Sequence, residues 1–458
     1  MSLSLTKFEL ENKLDKKLIN LNGINLVKYF ENVFELNKKL TNFLKSNEIN
    51  GFENDKTIGI GSESSGITTG QGTNPLLWEI GHFCYFYEIH CLQYFESNYN
   101  FFIDHGYIYD SFITDRSLRF EFRQHTKEKI FEYLDYISTK IFEILKRKIT
   151  KSQEYLLVMT LLHNHMHCES LIFSKKLLGF ENIFKINIQR NITRNLDFEF
   201  INIKGGTFDQ GSIEGENVIA WDNEMPRFKK EINDFCISKY CVTEEIVLRF
   251  INDNGYNRRE FWSNNGWRFI RGKDLKMPFY WIFENYKFKI NDNNNKRDII
   301  PNYPACHITW YEAEALCKYL GGRLPTESEW EYTSTNGGKT VYPWGNKMIK
   351  NLNLNYSGSV CDVNSFVEGD NHFGVRQLFG NVWEWCEEPI YPYDGFEIDP
   401  IYREFSYPFF GFKKILRGGC WAVPDILINS RYRNAQMPDC RIQFTGVRVV
   451  KDLFKKKL

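Results

Sequence analysis

Residues 304–332 read PACHITWYEAEALCKYLGGRLPTESEWEY. One helix is legible here, from about Trp310 to Leu320, closed by a Gly-Gly pair and a proline. It stands nearly alone among short β-like runs: FEFINIKGGTF at 198–208, FKKEINDFCISKYCVT at 228–243 and FTGVRVV at 444–450. Gly, Pro, Trp and Asn are common between them. Short strands, large irregular loops and a single helix predict an α+β domain with little regular structure, beginning near residue 196.

Upstream of 196 the character is different. Leu26, Phe30, Val33, Phe34, Leu40, Phe43 and Leu44 keep roughly helical spacing. Asn74 to Ser97 is long and apolar on more than one face. Ile130, Leu134, Ile137, Ile141 and Leu145 recur at helical intervals, and a fourth long apolar segment runs from Gln153 to about Leu178. Four such segments with connecting loops predict a four-helix bundle. The expected domains are therefore 1–195, helical, and 196–458, α+β. The stretch RNITRN at 190–195 is the expected linker, and the terminal KDLFKKKL reads as a solvated tail.

Composition narrows the functional classes. The chain has 458 residues, and a length of that order calls for two or three cores. Lys+Arg and Asp+Glu are both 58, so the formal net charge is zero, which argues against a nucleic-acid binder working through a broad basic field. No apolar run approaches the roughly 20 residues of a membrane helix. The start, MSLSLTKFELENKLDKK, lacks the apolar region of a secretory signal. Eleven cysteines, an odd number scattered without a CxxC pair, fit a reducing compartment better than a disulfide framework. A cytoplasmic protein is expected, working on small molecules, with neither nucleic acid nor membrane as partner.

Two helical segments carry candidate ligands. In HNHMHCES (163–170), His163 and His167 are four residues apart and share one helix face. His165 points elsewhere, and Glu169 sits roughly 200° from His167 around the helix, better suited to support than to ligation. In NPLLWEIGHFCYFYE (74–88), His82 stands among aromatic residues. A histidine facing a histidine pair is how bundles build metal sites. Three neutral imidazoles suit Fe, Zn, Cu or Ni, and spacing alone does not choose among them.

The surroundings of these residues carry a resemblance. His163-x3-His167-x-Glu169 resembles the HxxxHxE motif of DinB-like bundles, and the His82 segment resembles its companion. The second half is similar to the formylglycine-generating-enzyme (sulfatase-modifying factor) fold, a C-type-lectin-like α+β domain. The matching stretches are GGTFDQGS, WDNEMPRF, WSNNGWRF, the opening 304–332 segment, YPWG, LFGNVWEWCEE, LRGGCWAV and FTGVRVV. The two in this order resemble the nonheme iron sulfoxide synthases of thiohistidine biosynthesis, the ergothioneine, ovothiol and selenoneine enzymes.

That resemblance implies Fe(II) and O2. It implies metal ligands His82, His163 and His167, and a reaction joining a thiol (or selenol) to the imidazole of histidine or a methylated histidine. In PYDGFEIDPIYREFSYPFFG (392–411), Tyr402 matches the proton-donating tyrosine, and Phe405 stands where some relatives have a second one. In DSFITDRSLRF (110–120), Arg116 and Arg119 match an arginine pair suited to a substrate carboxylate. In RYRNAQMPDCRIQFTGVR (431–448), Asn434 matches a contact to the imidazole substrate, while Gln436 and Cys440 replace acidic and basic groups. Met166 replaces a glutamine before the second ligand histidine, and Ala435 replaces an aromatic residue that could hold a trimethylammonium. These departures imply that the imidazole donor, the sulfur donor or both differ from the ergothioneine pair.

Alternatives from other classes are kept. The formylglycine reaction needs a cysteine where this chain has Asn434, and Cys420 and Cys440 do not match its pair. A noncatalytic binding module and a zinc- or nickel-dependent transferase or hydrolase are the others. Within GNVWEW (380–385), Trp383 and Trp385 are expected in the core. The stretch VNSFVEGDNHFGVRQLFGN (363–381) is a candidate calcium site, since oxygen ligands suit a hard cation.

Overall fold

The computed structural model describes residues 14–453 apart from 15, 22–23, 43–72, 97, 105, 122–124, 181, 185–195 and 293–294. The expected helical positions Phe43 and Leu44, the linker at 190–195 and tail residues 454–458 lie outside the described residues. The described chain is mixed helix and sheet, with helices first.

Four long helices form where the apolar periodicity places them. They are α1 (Leu26–Thr41), α2 (Leu76–His90), α4 (Lys127–Leu145) and α5 (Lys151–Leu177), with a short α3 at Arg116–Glu121. Side-chain caps start three of them. Asn25 accepts from the Lys28 amide, Thr126 from the Lys129 amide, and Thr150 with Gln153 makes a reciprocal capping box. Helices α1 and α4 are amphipathic, each with one buried stripe. Helices α2 and α5 are buried on nearly every face, the mark of central elements. Helices α1 and α2 each pack on both α4 and α5.

Buried polar pins fix these contacts. Asn37 on α1 donates to Asn164 on α5 at 2.9 Å. Glu88 on α2 accepts from Tyr99 Oη at 2.6 Å, the Phe102 amide at 2.8 Å and Tyr133 Oη on α4. A buried carboxylate with three donors is satisfied, and it ties two helices and a loop to one point.

The remaining chain holds twelve short strands and four helices among the described residues. The strands are β1 (Phe200–Ile203), β2 (Gly206–Gln210), β3 (Phe228–Ile232), β4 (Phe235–Ser238), β5 (Trp281–Glu284), β6 (Lys287–Asp292), β7 (Asn295–Asp298), β8 (Trp383–Pro389), β9 (Lys414–Arg417), β10 (Asn434–Gln436), β11 (Thr445–Gly446) and β12 (Val450–Asp452). They make four small sheets, ordered β1-β4-β12, β10-β9-β8-β11, β2-β3 and β5-β6-β7. Helix α8 is Trp310–Tyr319, as the opening stretch predicts. Helices α6 (Glu244–Asn252), α7 (Asn264–Gly272) and α9 (Glu327–Ser334) go beyond the single helix expected. They are eight or nine residues long, too short for periodicity to stand out.

The core of this part is built around tryptophans and buried ions. Trp330, Trp383 and Trp385 are fully buried, as expected of the last two. Arg448 lies against Glu384 at 2.6 Å with both side chains inaccessible, and Trp330 Nε1 donates to the same carboxylate at 2.8 Å. Nearby, Arg417 bridges Glu327 and Glu331, and Arg433 also pairs with Glu327. Charges this deep persist because each is paired and hydrogen-bonded. Gly418 in the LRGG turn has φ +91°, and a Cβ there would sit 2.4 Å from the Leu378 carbonyl. Both facts require glycine.

The chain separates into two compact units, and neither is continuous. The first is residues 1–183 with 213–221 and 398–405; the second is 184–212, 222–397 and 406–458. Sequence character alone assigns both short segments to the second half. The reason for their true membership is tertiary. Lys17 pairs with Glu214 of one segment at 3.0 Å and with Asp399 of the other at 3.2 Å. Trp221 stacks on Phe405 at 4.2 Å between ring centroids. No described helix is long and apolar enough to cross a membrane.

Candidate metal centre

Helix α2 and helix α5 bring the three predicted histidines together. The candidate ligand atoms of His82, His163 and His167 all lie within 4.8 Å of one another, the one such cluster among the described residues. His163 and His167 are one turn apart on α5, with Nε2 atoms 3.2 Å apart. Metal–nitrogen bonds of 2.0–2.1 Å at right angles would put two imidazole nitrogens about 3 Å apart, so this pair is set to a metal's spacing.

Two of the three rings are aimed by what the other nitrogen does, and the third by stacking. His82 Nδ1 donates to the Tyr109 carbonyl at 2.7 Å, which leaves Nε2 with its lone pair towards the cluster. His167 Nδ1 lies 2.7 Å from Glu79 Oε1, giving the carboxylate–histidine pairing that metal ligands commonly show. His163 is held by stacking on Phe86, centroids 3.6 Å apart at 11°. Its Nδ1 is buried without a hydrogen-bond partner, so Nε2 is the atom it offers. Burial first, and then His167, push His82 and His163 well below the usual histidine range, so both stay neutral and able to ligate. Three imidazoles, two already oriented from behind, fit a divalent transition metal.

Glu79 escaped the sequence reading, and its signal was present. It precedes His82 by three residues in NPLLWEIGH, so the two share a helix face. Its buried Oε2 has no partner in the structure, leaving one lone pair for a bound water or ligand.

The Tyr109 carbonyl is placed by close packing. Residues Gly106–Tyr109 form a 3-10 turn, and Trp78 Nε1 on α2 donates to the Ile108 carbonyl at 3.0 Å. The Tyr109 ring lies over Gly81, where a Cβ would be 2.3 Å from it. Gly81→Ala is therefore expected to push the turn away and destabilise the protein by about 1–3 kcal/mol. A denaturant or thermal unfolding curve matching wild type would sink this.

Arg119 differs from its expected role. Its Nε, Nη1 and Nη2 donate to the Thr114 carbonyl at 3.1 Å, Asn74 Oδ1 at 2.8 Å and the Ser111 carbonyl at 2.6 Å. The guanidinium also lies 4.3 Å over Trp78, which stacks on His82 at 5.2 Å and 7°. Two nitrogens are thus committed to the loop at 111–114 and one to Asn74, and Arg119 props the stack behind His82. Burial, then Arg116, lowers it to about 10. Arg116 is half-buried. Met166 is also half-buried, beside His167 on α5.

Tyr402 comes to the cluster on the 398–405 segment of the same unit. Its ring centroid is 5.4 Å from His163 and 4.8 Å from Phe86, both edge-on. Phe405 is committed to its stack on Trp221. A cavity of about 100 Å³ opens here, lined by His82, Phe86, His90, His163, Tyr402 and Glu404 among others. His90 was not foreseen. It stands two turns beyond His82 on α2, with burial lowering it to about 4, hence neutral.

The other predicted residues belong to the second unit. Asn434 opens β10, an edge strand paired with β9, and its Oδ1 accepts from the Ala435 amide at 2.8 Å. Gln436 Oε1 accepts from the Met437 amide at 2.9 Å, and its Nε2 reaches Gln443 at 3.4 Å. Cys440 is buried, and burial raises its thiol. Cys420 is fully buried. In the expected calcium stretch, Asp370 accepts from Arg376 through both oxygens at 2.7 Å, and Asn364 accepts from it as well. Asp370 and Asn364 are thus paired with a guanidinium.

Residues 189–453 match the family model of the sulfatase-modifying factor enzyme 1-like domain. The chain is 34% identical over 246 residues to the hercynine oxygenase of Mycolicibacterium thermoresistibile, covering 51% of this chain and 54% of that one. It is 32% identical over 259 residues to the hercynine oxygenase of Mycobacterium tuberculosis, covering 54% and 59%. It is 27% identical over 316 residues to the formylglycine-generating enzyme of Thermomonospora curvata, covering 59% of this chain and 98% of that one. The chain thus spans little more than half the length of the hercynine oxygenases it matches.

Proposed function

Since the chain belongs to the sulfatase-modifying factor enzyme 1-like family, we propose that it is a nonheme iron oxygenase joining a thiol to a histidine-type imidazole as a sulfoxide. The observation that carries this reading is the convergence of His82, His163 and His167 beside Tyr402. The likeness to two hercynine oxygenases supports it from outside the site. We read the helices of the first unit as a DinB-like bundle that holds the metal.

The thiol is cysteine or γ-glutamylcysteine, and the acceptor is histidine or a methylated histidine. The reaction balances as thiol plus imidazole C–H plus O2 giving the sulfoxide and water. Iron(II) held by the three imidazoles would supply open positions for the thiolate and dioxygen. Everything else falls to the chain. Glu79 and the Tyr109 carbonyl keep two rings in their ligating tautomers. Phe86 and Phe112 line the cavity and limit water beside the reacting atoms. Tyr402 Oη holds the proton that the coupling step must place. Arg116, at the start of α3, pairs with a substrate carboxylate, just after a loop that Arg119 keeps in shape. Asn434, Gln436 and Cys440, with Met166, distinguish the substrates from the ergothioneine pair.

A selenium donor is the nearest second reading, favoured by the same departures at Met166, Ala435 and Cys440. Formylglycine formation is disfavoured because Asn434 stands at the position its cysteine must occupy. An oxygen-electrode screen of the iron-loaded protein tests the proposal. Histidine and Nα-trimethylhistidine are each paired with cysteine, γ-glutamylcysteine or a selenosugar, with mass-spectrometric detection. The expected product has the mass of both substrates plus O2 less water. No oxygen uptake with any pair, from protein carrying stoichiometric iron, would sink the proposal.

A further inference from the structure

The segment that carries Tyr402 is short, irregular and distant in sequence from the helices it joins. One carboxylate ties it at several points. Asp399 is buried, and all its acceptor capacity is used. Its Oδ1 accepts from the amides of Ile401 and Tyr402, each at 2.8 Å, closing a turn that fixes the backbone at Tyr402 itself. Its Oδ2 accepts from Tyr155 Oη on α5 at 2.6 Å and lies 3.2 Å from Lys17 Nζ. Tyr155 is two turns before His163 on that helix, so the same element that presents two ligands also anchors the tyrosine segment. Lys17 extends the tie to Glu214 on the other inserted segment.

We propose that Asp399 is a positioning residue that sets Tyr402 against the three-histidine cluster, through the turn at 399–402 and the tether to Tyr155 and Lys17. The functional half of this inference rests on the oxygenase reading; the geometric half does not. Burial alone would raise the Asp399 carboxyl, but Lys17, Tyr155 and the two amides hold it below the usual carboxylate range. It is therefore an anion, and it can serve donors from three directions at once.

The test places 3-fluorotyrosine at position 402 of the full chain and loads the histidine cluster with Co(II). In wild type, cobalt should shift and broaden the ¹⁹F resonance, because the ring lies beside a ligand. In Asp399→Ala the cobalt effect should fall towards zero, and in Asp399→Asn it should return only in part, since the amide oxygen still closes the turn while its N–H2 cannot accept from Tyr155 or Lys17. Where Asp399→Ala does not fold, the double variant Lys17→Met, Tyr155→Phe removes the tether and leaves the turn, and it too should lose much of the effect. A wild-type cobalt effect in Asp399→Ala, or in the double variant if that is the one that folds, overturns the proposal. With the correct substrates, Asp399→Ala should also lower kcat by about 100-fold with KM little changed, the size expected of a misplaced group. The two failures are distinguishable. Lack of turnover with any substrate pair removes the oxygenase reading and leaves the ¹⁹F result standing. An unmoved ¹⁹F signal removes the role of Asp399 whatever the activity.

Discussion

His167→Ala should weaken divalent-metal binding by at least about 100-fold, and Glu79→Gln by about 10–100-fold. The first removes a nitrogen of a set whose candidate ligand atoms already lie within 4.8 Å of one another. The second leaves all three imidazoles in place and changes only what stands behind one of them. Glutamine can turn its N–H towards His167 Nδ1, where the carboxylate oxygen at 2.7 Å now accepts, and that favours the wrong tautomer. A 100-fold loss is about 2.7 kcal/mol, well within what calorimetry or chelator competition resolves. The measurement is an anaerobic Fe(II) or Co(II) titration of both variants and wild type. Equal affinities in all three would mean that the cluster is a packed group of core histidines. Retained affinity in Glu79→Gln alone would confine the metal's dependence to the three rings.

Tyr402→Phe should lower the coupling rate by about 10²–10⁴-fold, the range for a positioned proton donor. The substitution removes one oxygen and keeps the ring that packs edge-on against Phe86 and His163. Metal affinity should stay within about twofold of wild type, since no ligand is touched. Oxygen uptake followed beside product formation separates two outcomes. If both fall together, Tyr402 acts before or at the coupling step. If uptake persists while product falls, the tyrosine directs oxygen towards sulfur–carbon bond formation and away from simple thiol oxidation. A rate equal to wild type in both would remove Tyr402 from the chemistry and leave His90 or Glu404 of the same cavity as the next candidates.

Much of this site could be read before the structure. His163 and His167 were visible because four residues make one helical turn. Four helices were visible because two repeat an apolar stripe over four or more turns and two are long runs apolar on more than one face. Trp383 and Trp385 of GNVWEW were expected in the core, and both are fully buried. The setting of Arg119 was hidden for an equally physical reason. A guanidinium suits a substrate carboxylate and a set of backbone carbonyls alike, and only the positions of Ser111, Thr114 and Asn74 decide between them. The stretch at 363–381 offers several oxygens to a cation, and sequence does not reveal that Arg376 folds back onto those of Asp370 and Asn364.

Local pattern sets the long helices of the first unit and which side chains are chemically able to bind a metal. Both depend on neighbours within a few residues: periodicity, caps, turn residues and i, i+4 spacing. Only the tertiary structure decided that His82 meets the α5 pair, that Glu79 and the Tyr109 carbonyl stand behind the rings, and that residues 398–405 bring Tyr402 to them. That last step spans more than 230 residues of chain and is held by Asp399, Lys17 and Tyr155. Contacts between such distant positions are set by shape and charge complementarity across a folded surface, and no local pattern in the sequence encodes them.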